Sequence, residues 1–257
     1  MNKTFSVATV RVLALTLAGL ALPSLAFATA STTYWATSVA TCQAYATPHV
    51  TYDSYFSKKG DFPTDTGLTM GIIPGDKVQA EVGYDLLLPS SNPVGFYLNG
   101  KVCVTENAIA KGAPAISVGI SSFGFKKDVT SYDVLYATLQ KSLPFGGYIT
   151  IGAYHGLSKT LFFSSEGKKV QNGLLAGWSS PDIKPGIKGI SKIDVIADVQ
   201  TGKNVFGAGG AGLDVYFNDY IGMIVGPVFF LDKTAAGAAS SMYWTVQLDV
   251  DIPFGKK

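Results

Sequence analysis

The sequence predicts an all-β protein, an antiparallel transmembrane β-barrel of about twelve strands that follows a cleaved signal peptide. Three observations predict it: a basic and then apolar amino terminus, a composition with 29 Gly, 15 Phe and 13 Tyr, and repeated alternation of apolar and polar residues. A strand whose two faces meet different solvents must alternate at every second residue. Because lipid offers the backbone no hydrogen-bond partners, strands can cross a bilayer only as a closed barrel.

The amino terminus has the pattern of a secretory signal peptide over residues 1–28. Lys3 and Arg11 give it a basic start, Val12 to Leu22 forms a short apolar run, and Ala26-Phe27-Ala28 is a small-x-small cleavage site. The mature chain is therefore expected to begin near Thr29. No later segment reaches the roughly 20 uninterrupted apolar residues that a helical span needs, so residence in a membrane requires strands.

The mature chain is close to neutral. Of the 20 basic side chains, Lys3 and Arg11 lie in the predicted signal peptide, and the remaining lysines balance the 18 acidic side chains. This balance gives no support to a general attraction for nucleic acid, and no nucleic-acid partner is expected.

Twelve segments of residues 49–257 alternate and are the candidate strands of the barrel. The clearest candidates are 77–88 and 244–252. In the first, Val78, Ala80 and Val82 lie on one face and Glu81 lies on the other. Weaker alternation recurs at 49–57, 66–73, 94–104, 114–123, 131–140, 147–155, 172–179, 190–199, 205–217 and 220–230. An even number of such segments is what a bacterial membrane barrel requires, whereas a soluble β-sandwich is the alternative that also alternates.

The end of the chain carries a resemblance to a known class. Apolar and aromatic residues occupy every second position from Trp244 to Phe254, although residues 255–257 follow the last aromatic residue. This ending, with the stretches TPHVTYDSYF, DKVQAEVGYDLL and KKDVTSYDVLYATLQKSLP, resembles bacterial outer-membrane barrels, closest to an uncharacterised porin-like group. The resemblance implies insertion by the barrel-assembly machinery, residence in the bacterial outer membrane and contact with its lipid and lipopolysaccharide.

Alternation also predicts which charged side chains line the lumen. The predicted inward acids are Asp53, Glu81, Asp85, Asp133, Asp194, Asp198, Asp214, Asp249 and Asp251, and the inward bases are Lys77, Lys101 and Lys192. An excess of acids gives the lumen a negative field that concentrates cations. A second interpretation stays open, in which opposite charges pair across a closed interior.

The two cysteines, Cys42 and Cys103, are predicted to form a disulfide, because an exported protein reaches an oxidising compartment. Cys42 lies in residues 29–48, a segment too irregular to be a strand and predicted as a periplasmic or plug segment ahead of the barrel. Alternation in the fourth candidate strand turns Cys103 inward. The bond is expected to hold the segment inside or across the periplasmic mouth, whereas two separate buried thiols are the alternative.

Residues that carry catalysis are scarce. The only histidines, His49 and His155, form no metal-type pair, and Ser158 after His155 does not reproduce the motif of a barrel phospholipase. No metal site and no cofactor are expected, and the protein is predicted not to be an enzyme. Lysines collect instead in the proposed outer loops, where lipopolysaccharide phosphates or plain solubility explain them: Lys58, Lys59, Lys126, Lys127, Lys159, Lys168, Lys169, Lys203 and Lys233.

The function predicted first is a narrow passive channel with an acidic polar lumen. Twelve strands lie between the eight that side chains fill and the sixteen or so that leave an open aqueous pore, so strand number does not decide whether the pore is open. The second hypothesis is a non-conducting barrel that anchors or scaffolds a periplasmic partner. A lipid-hydrolysing outer-membrane enzyme is the third hypothesis.

Overall fold

A computed structural model of the protein describes residues 31–36, 38–88 and 95–254, and the predicted signal peptide lies outside the described residues. Twelve β-strands account for the regular structure of these ranges: β1 (Pro48–Phe56), β2 (Thr64–Gly71), β3 (Val78–Leu88), β4 (Phe96–Val104), β5 (Ala115–Phe123), β6 (Val134–Ser142), β7 (Tyr148–Gly156), β8 (Asn172–Ser179), β9 (Lys192–Gln200), β10 (Ala208–Asn218), β11 (Ile221–Phe230) and β12 (Met242–Asp251). The described residues contain no helix that is long and apolar enough to cross a membrane.

The strands form one closed antiparallel barrel. Each strand pairs with its neighbours in the sequence, and β1 pairs with β12 along eight residue pairs, from His49 opposite Asp251 to Phe56 opposite Trp244. Closure leaves no unpaired edge strand. The predicted fold class is confirmed, and the sandwich alternative is wrong because a single sheet closes on itself.

The two faces of the wall differ in polarity. Outward side chains are large, apolar and exposed, among them Val102, Val118, Leu135, Leu139, Ile149, Ile151, Leu174, Leu213 and Leu248. Inward side chains are buried and largely polar, among them Thr51, Thr69, Ser117, Thr138, Gln140, Thr150, Thr245 and Gln247. An apolar surface of this extent is foreign to a soluble monomer and suits contact with lipid.

The two ends of the barrel are built differently. At the end where β1 begins and β12 ends, here called the terminal end, the connections span 72–77, 105–114, 143–147, 180–191 and 219–220. At the opposite, loop end, the fully described connections span 57–63, 124–133, 157–171, 201–207 and 231–241. All nine lysines assigned to outer loops from the sequence lie at the loop end.

Candidate functional site: a plugged lumen with an acidic vestibule

Most of the charged residues predicted for the lumen lie on inward faces of their strands. The acids are Asp53, Glu81, Asp85, Asp194, Asp198, Asp214, Asp249 and Asp251, and the bases are Lys101 and Lys192.

Two of the lumen predictions are wrong. Asp133 precedes β6 in the 124–133 connection, with φ 51°, and its carboxylate accepts a hydrogen bond from the Gly124 N–H. The candidate segment began three residues too early, so Asp133 was placed on a strand it does not join. Lys77 is exposed in the turn ahead of β3, where its carbonyl pairs with the Thr105 N–H at the terminal end.

Residues 31–36 and 38–47, here called the plug segment, enter the lumen from the terminal end. Three consecutive backbone N–H groups, those of Tyr34, Trp35 and Ala36, donate to the Asp198 carboxylate at 2.8, 2.9 and 2.8 Å. A carboxylate that accepts several N–H bonds is well satisfied in a buried place. Asp198 therefore serves as an anchor for the plug segment.

A buried ion pair holds the plug segment at two further points. Lys101 Nζ lies 3.2 Å from Glu81 Oε1, with both side chains at most 1% exposed. The same carboxylate accepts the Ser31 N–H at 2.9 Å and the Gln43 N–H at 2.7 Å, so it joins the two ends of the looped segment. Glu81 and Lys101 are direct cross-strand neighbours on β3 and β4, so these charges pair along the wall of the barrel.

A disulfide ties the plug segment to the wall. Cys42 and Cys103 are bonded, with their Cα atoms 5.9 Å apart, and Cys103 is fully buried on the inward face of β4. Close by, the Ala40 N–H donates to Gln140 Oε1 at 2.9 Å. The plug segment is thus bound covalently to β4 and by hydrogen bonds to side chains of β3, β6 and β9.

Glycines of β10 and β11 make room for the ring of Tyr34. A Cβ atom at Gly210 or Gly212 would approach the ring to 2.8 Å, and one at Gly226 would approach the hydroxyl to the same distance. The hydroxyl donates to the Pro227 carbonyl at 2.9 Å. These glycines give the wall a flat slot into which one plug side chain fits.

Above the plug segment, the loop end is closed by an apolar cluster. Phe162, from the 157–171 connection, is fully buried among inward side chains that include Tyr136, Tyr154 and Leu175, and Trp35 of the plug segment packs against them. Phe162 also meets Tyr132 and Phe206 ring to ring. This cluster, here called the aromatic seal, packs inside the barrel at the loop end.

Below the plug segment, a cavity of about 500 Å³ opens at the terminal end and is here called the vestibule. It is lined by seven carboxylates, Asp53, Asp182, Asp194, Asp214, Asp219, Asp249 and Asp251, and by one lysine, Lys192. Ser31, Thr33 and Gln43 of the plug segment form its inner side. Five of the eight inward acids therefore line the vestibule, and Asp182 and Asp219 of the connections add to them.

Two basic groups engage part of this acidic wall. His49 lies between two carboxylates of β12, with Nε2 3.1 Å from Asp249 and Nδ1 3.0 Å from Asp251. Lys192 Nζ lies 2.9 Å from both Asp182 and Asp194. The hydrogen bond from Lys192 lowers the pKa of Asp182, which lies in the connection before β9.

Several residues of the interior were missed in the sequence. Asp65 lies opposite Asp53 on β2, one residue ahead of the candidate strand, and Asp182 and Asp219 belong to connections, where alternation gives no direction. His49 shares the parity of Asp53 on β1 and lines the vestibule.

Candidate catalytic groups do not come together. His155 lies exposed at the end of β7 and contacts Asn172 Oδ1 at 2.7 Å, whereas Ser158 bonds with Thr160. In the described ranges no three His, Cys, Asp or Glu side chains are placed to hold a metal ion.

No protein-family model and no curated protein match the sequence. Among solved structures, the chain is similar to an outer membrane channel from Pseudomonas putida F1, with 12% sequence identity and a TM-score of 0.41. That match covers 82% of this chain and 97% of the other.

Fold and lumen together define a class. The protein is a porin-like antiparallel β-barrel of twelve strands. Within that class it is one whose lumen holds its own amino-terminal segment and keeps an acidic vestibule at one end.

Proposed function

We propose that the protein is an outer-membrane channel for cations, closed at rest by its own plug segment. The observation that carries this proposal is the way the plug segment is bound. Its backbone is held by polar groups, Asp198 and Glu81, and by one disulfide, in a lumen whose wall is lined with polar side chains. A segment bound in this manner leaves a hydrated, polar passage when it moves away.

The outward face supports residence in a membrane. Its apolar side chains surround the barrel, and exposed aromatic residues gather at the loop end in pairs such as Phe56 with Phe62 and Phe123 with Phe125. Aromatic girdles of this kind mark the level of the lipid headgroups in outer-membrane barrels.

The loop end is proposed to face outward, where its nine lysines meet lipopolysaccharide phosphates as point charges. The terminal end then faces the periplasm. This orientation follows from the longer connection at the loop end, residues 157–171, and from the two-residue turn at 219–220. It also places the vestibule where periplasmic solutes or a periplasmic partner have access to it.

Planar-bilayer recording tests the proposal directly. The full chain should show rare or no openings, whereas a variant that lacks residues 31–44 and carries Cys103→Ser should conduct continuously. In a potassium chloride gradient its reversal potential should indicate preference for potassium, because the vestibule holds seven carboxylates and one lysine.

Matched variants separate selectivity from opening. In the plug-deleted background, Asp214→Asn with Asp249→Asn should reduce the preference for potassium, and Asp76→Asn in an exposed turn should leave it unchanged. Absence of conductance in the folded plug-deleted barrel would reject the channel and favour an anchor or scaffold for a periplasmic partner. Preference for chloride would reject the cationic selectivity alone.

A further inference from the structure

The outward face of the barrel carries a groove at mid-height on β4, β5 and β6. Its volume is about 500 Å³, and exposed apolar side chains line it, among them Val102, Val118 and Leu135. Gly100 on β4 leaves the space open, because a Cβ atom added there would meet only one backbone oxygen of β3, at 3.8 Å. Next to this glycine the register between β4 and β5 shifts, between Leu98 and Gly100. The groove is therefore open space bounded by apolar side chains, and it suits a hydrocarbon chain.

Aromatic rings continue the groove toward the loop end. The ring of Phe96 lies 5.4 Å from that of Tyr84 and 6.2 Å from that of Phe125. Phe125, which is 66% exposed, also contacts Phe123 at 5.7 Å. Along β5, Val118 lies five residues from Phe123, or about 16 Å, which is close to half of the roughly 30 Å hydrocarbon core of a bilayer. An acyl chain whose head group lies at the level of the rings can therefore reach the groove.

Positive charge lies directly beyond the rings. Lys126 and Lys127 follow Phe125 in the chain, and both side chains are exposed. The next residue, Asp128, accepts a hydrogen bond from the Thr160 hydroxyl at 2.6 Å, so its carboxylate is engaged by the neighbouring connection. Lysine ammonium groups bind phosphate as point charges. Two of them beside exposed rings therefore suit the head group of a phosphate-bearing lipid.

We propose that the groove, the rings and the two lysines form one binding site for lipopolysaccharide, here called the lipid site. An acyl chain lies in the groove beside Gly100, a sugar ring packs on Phe125, and Lys126 and Lys127 bind a phosphate. The lipid site deepens the proposed function and rests on it for two points, residence in the outer membrane and a loop end that faces outward. In that orientation the loop end meets the outer leaflet, where lipopolysaccharide is the lipid that carries phosphate.

Native mass spectrometry of the full-length folded protein in detergent, titrated with lipid A, tests the phosphate end of the lipid site. Lys126→Ala with Lys127→Ala should weaken lipid A binding about tenfold, as loss of charged hydrogen bonds predicts. Lys58→Ala with Lys59→Ala is the matched control, since it removes the same charge from another connection of the loop end and should leave the affinity unchanged. Equal weakening by the two double variants would overturn the site, because the lysines would then act only through net charge.

The same titration tests the groove. Gly100→Leu fills the open space and should weaken lipid A binding about threefold or more, because the acyl chain loses its dispersion contacts with the wall. Ala197→Leu enlarges a side chain on the outward face of β9, away from the groove, and should leave the affinity unchanged. Gel migration before and after heating verifies that each variant is folded.

Phosphatidylglycerol and dephosphorylated lipid A serve as comparison probes, and both should bind more weakly than lipid A. Equal binding of phosphatidylglycerol would overturn the assignment to lipopolysaccharide. Equal affinity for lipid A in wild type, in the folded lysine variant and in folded Gly100→Leu would overturn the lipid site as a whole. Because the measurement concerns the outward face and is made with the plug in place, its failure leaves the conductance result standing, and a silent pore leaves the binding result standing.

Discussion

The loop-end half and the terminal-end half of the lumen differ in polarity, although the same twelve strands line both. At the loop end, inward aromatic residues pack around Phe162, and Trp35 and Ala36 of the plug segment join that cluster. At the terminal end, carboxylates line an open cavity and only His49 and Lys192 offset them. The difference teaches that the plug segment is held by apolar packing and by backbone hydrogen bonds to buried acids, whereas carboxylates outnumber basic groups around the vestibule.

The largest expected effect concerns the aromatic seal. Phe162→Ala leaves a cavity in a fully buried cluster and should destabilise the barrel by about 3–5 kcal/mol. Phe163→Ala is the matched control, since the neighbouring ring is exposed and should change stability by less than about 0.5 kcal/mol. Urea unfolding in detergent, followed by tryptophan fluorescence, measures both. Equal effects of the two substitutions would mean that the loop does not seal the lumen.

The disulfide is expected to have the next largest effect. Cys42→Ser with Cys103→Ser should lower stability by about 2–4 kcal/mol, because the bond closes a long loop of the unfolded chain. In bilayers the same variant should open more often than wild type while retaining most closed periods, since the hydrogen bonds to Asp198 and Glu81 remain. Permanently open channels would show that the tether alone holds the plug segment.

The hydrogen-bonded anchor is tested by Asp198→Asn. The amide offers one acceptor oxygen in place of two charged ones, so the interaction with the N–H groups of residues 34–36 should weaken by about 1.5–3 kcal/mol. Hydrogen exchange of those amides should accelerate, and Asp214→Asn, which does not contact them, should leave the exchange unchanged. Unaltered hydrogen exchange in Asp198→Asn would mean that other contacts hold the plug segment in the lumen.

The smallest effect is expected outside the lumen, at Glu106 in the connection after β4. Hydrogen bonds from Lys141 and Ser142 lower the pKa of Glu106 to about 2, from an ordinary value of 4.5. Because the folded pKa is the lower one, the contribution to stability is complete above pH 4.5 and is lost as the pH falls toward 2. Glu106→Gln should therefore cost less than about 1 kcal/mol at pH 7, as for partly exposed pairs, and nothing near pH 2. A cost that persists at pH 2 would point to a packing role instead.

The outline of the barrel was predictable, and particular residues show why. Asp53, Asp249 and Asp251 could be assigned inward because alternation is a local property of a strand with two solvents. Asp133 and Lys77 were assigned wrongly at strand boundaries, where a left-handed residue or a turn breaks the period. His49 carried the correct parity, but its position between two carboxylates of β12 depends on the closing pair of strands, which are 200 residues apart in sequence.

The sequence by itself determined the all-β class, the twelve strands and the polarity of each face, because these follow from the spacing of residues along the chain. Tertiary structure alone decided how the lumen is used. It turned Glu81 and Asp198 into anchors for the plug segment, brought Phe162 into the aromatic seal, and gathered seven carboxylates around one vestibule. Those arrangements depend on which strands face one another across the closed barrel and on where the irregular plug segment lies inside it. Alternation along a single strand carries no information on either.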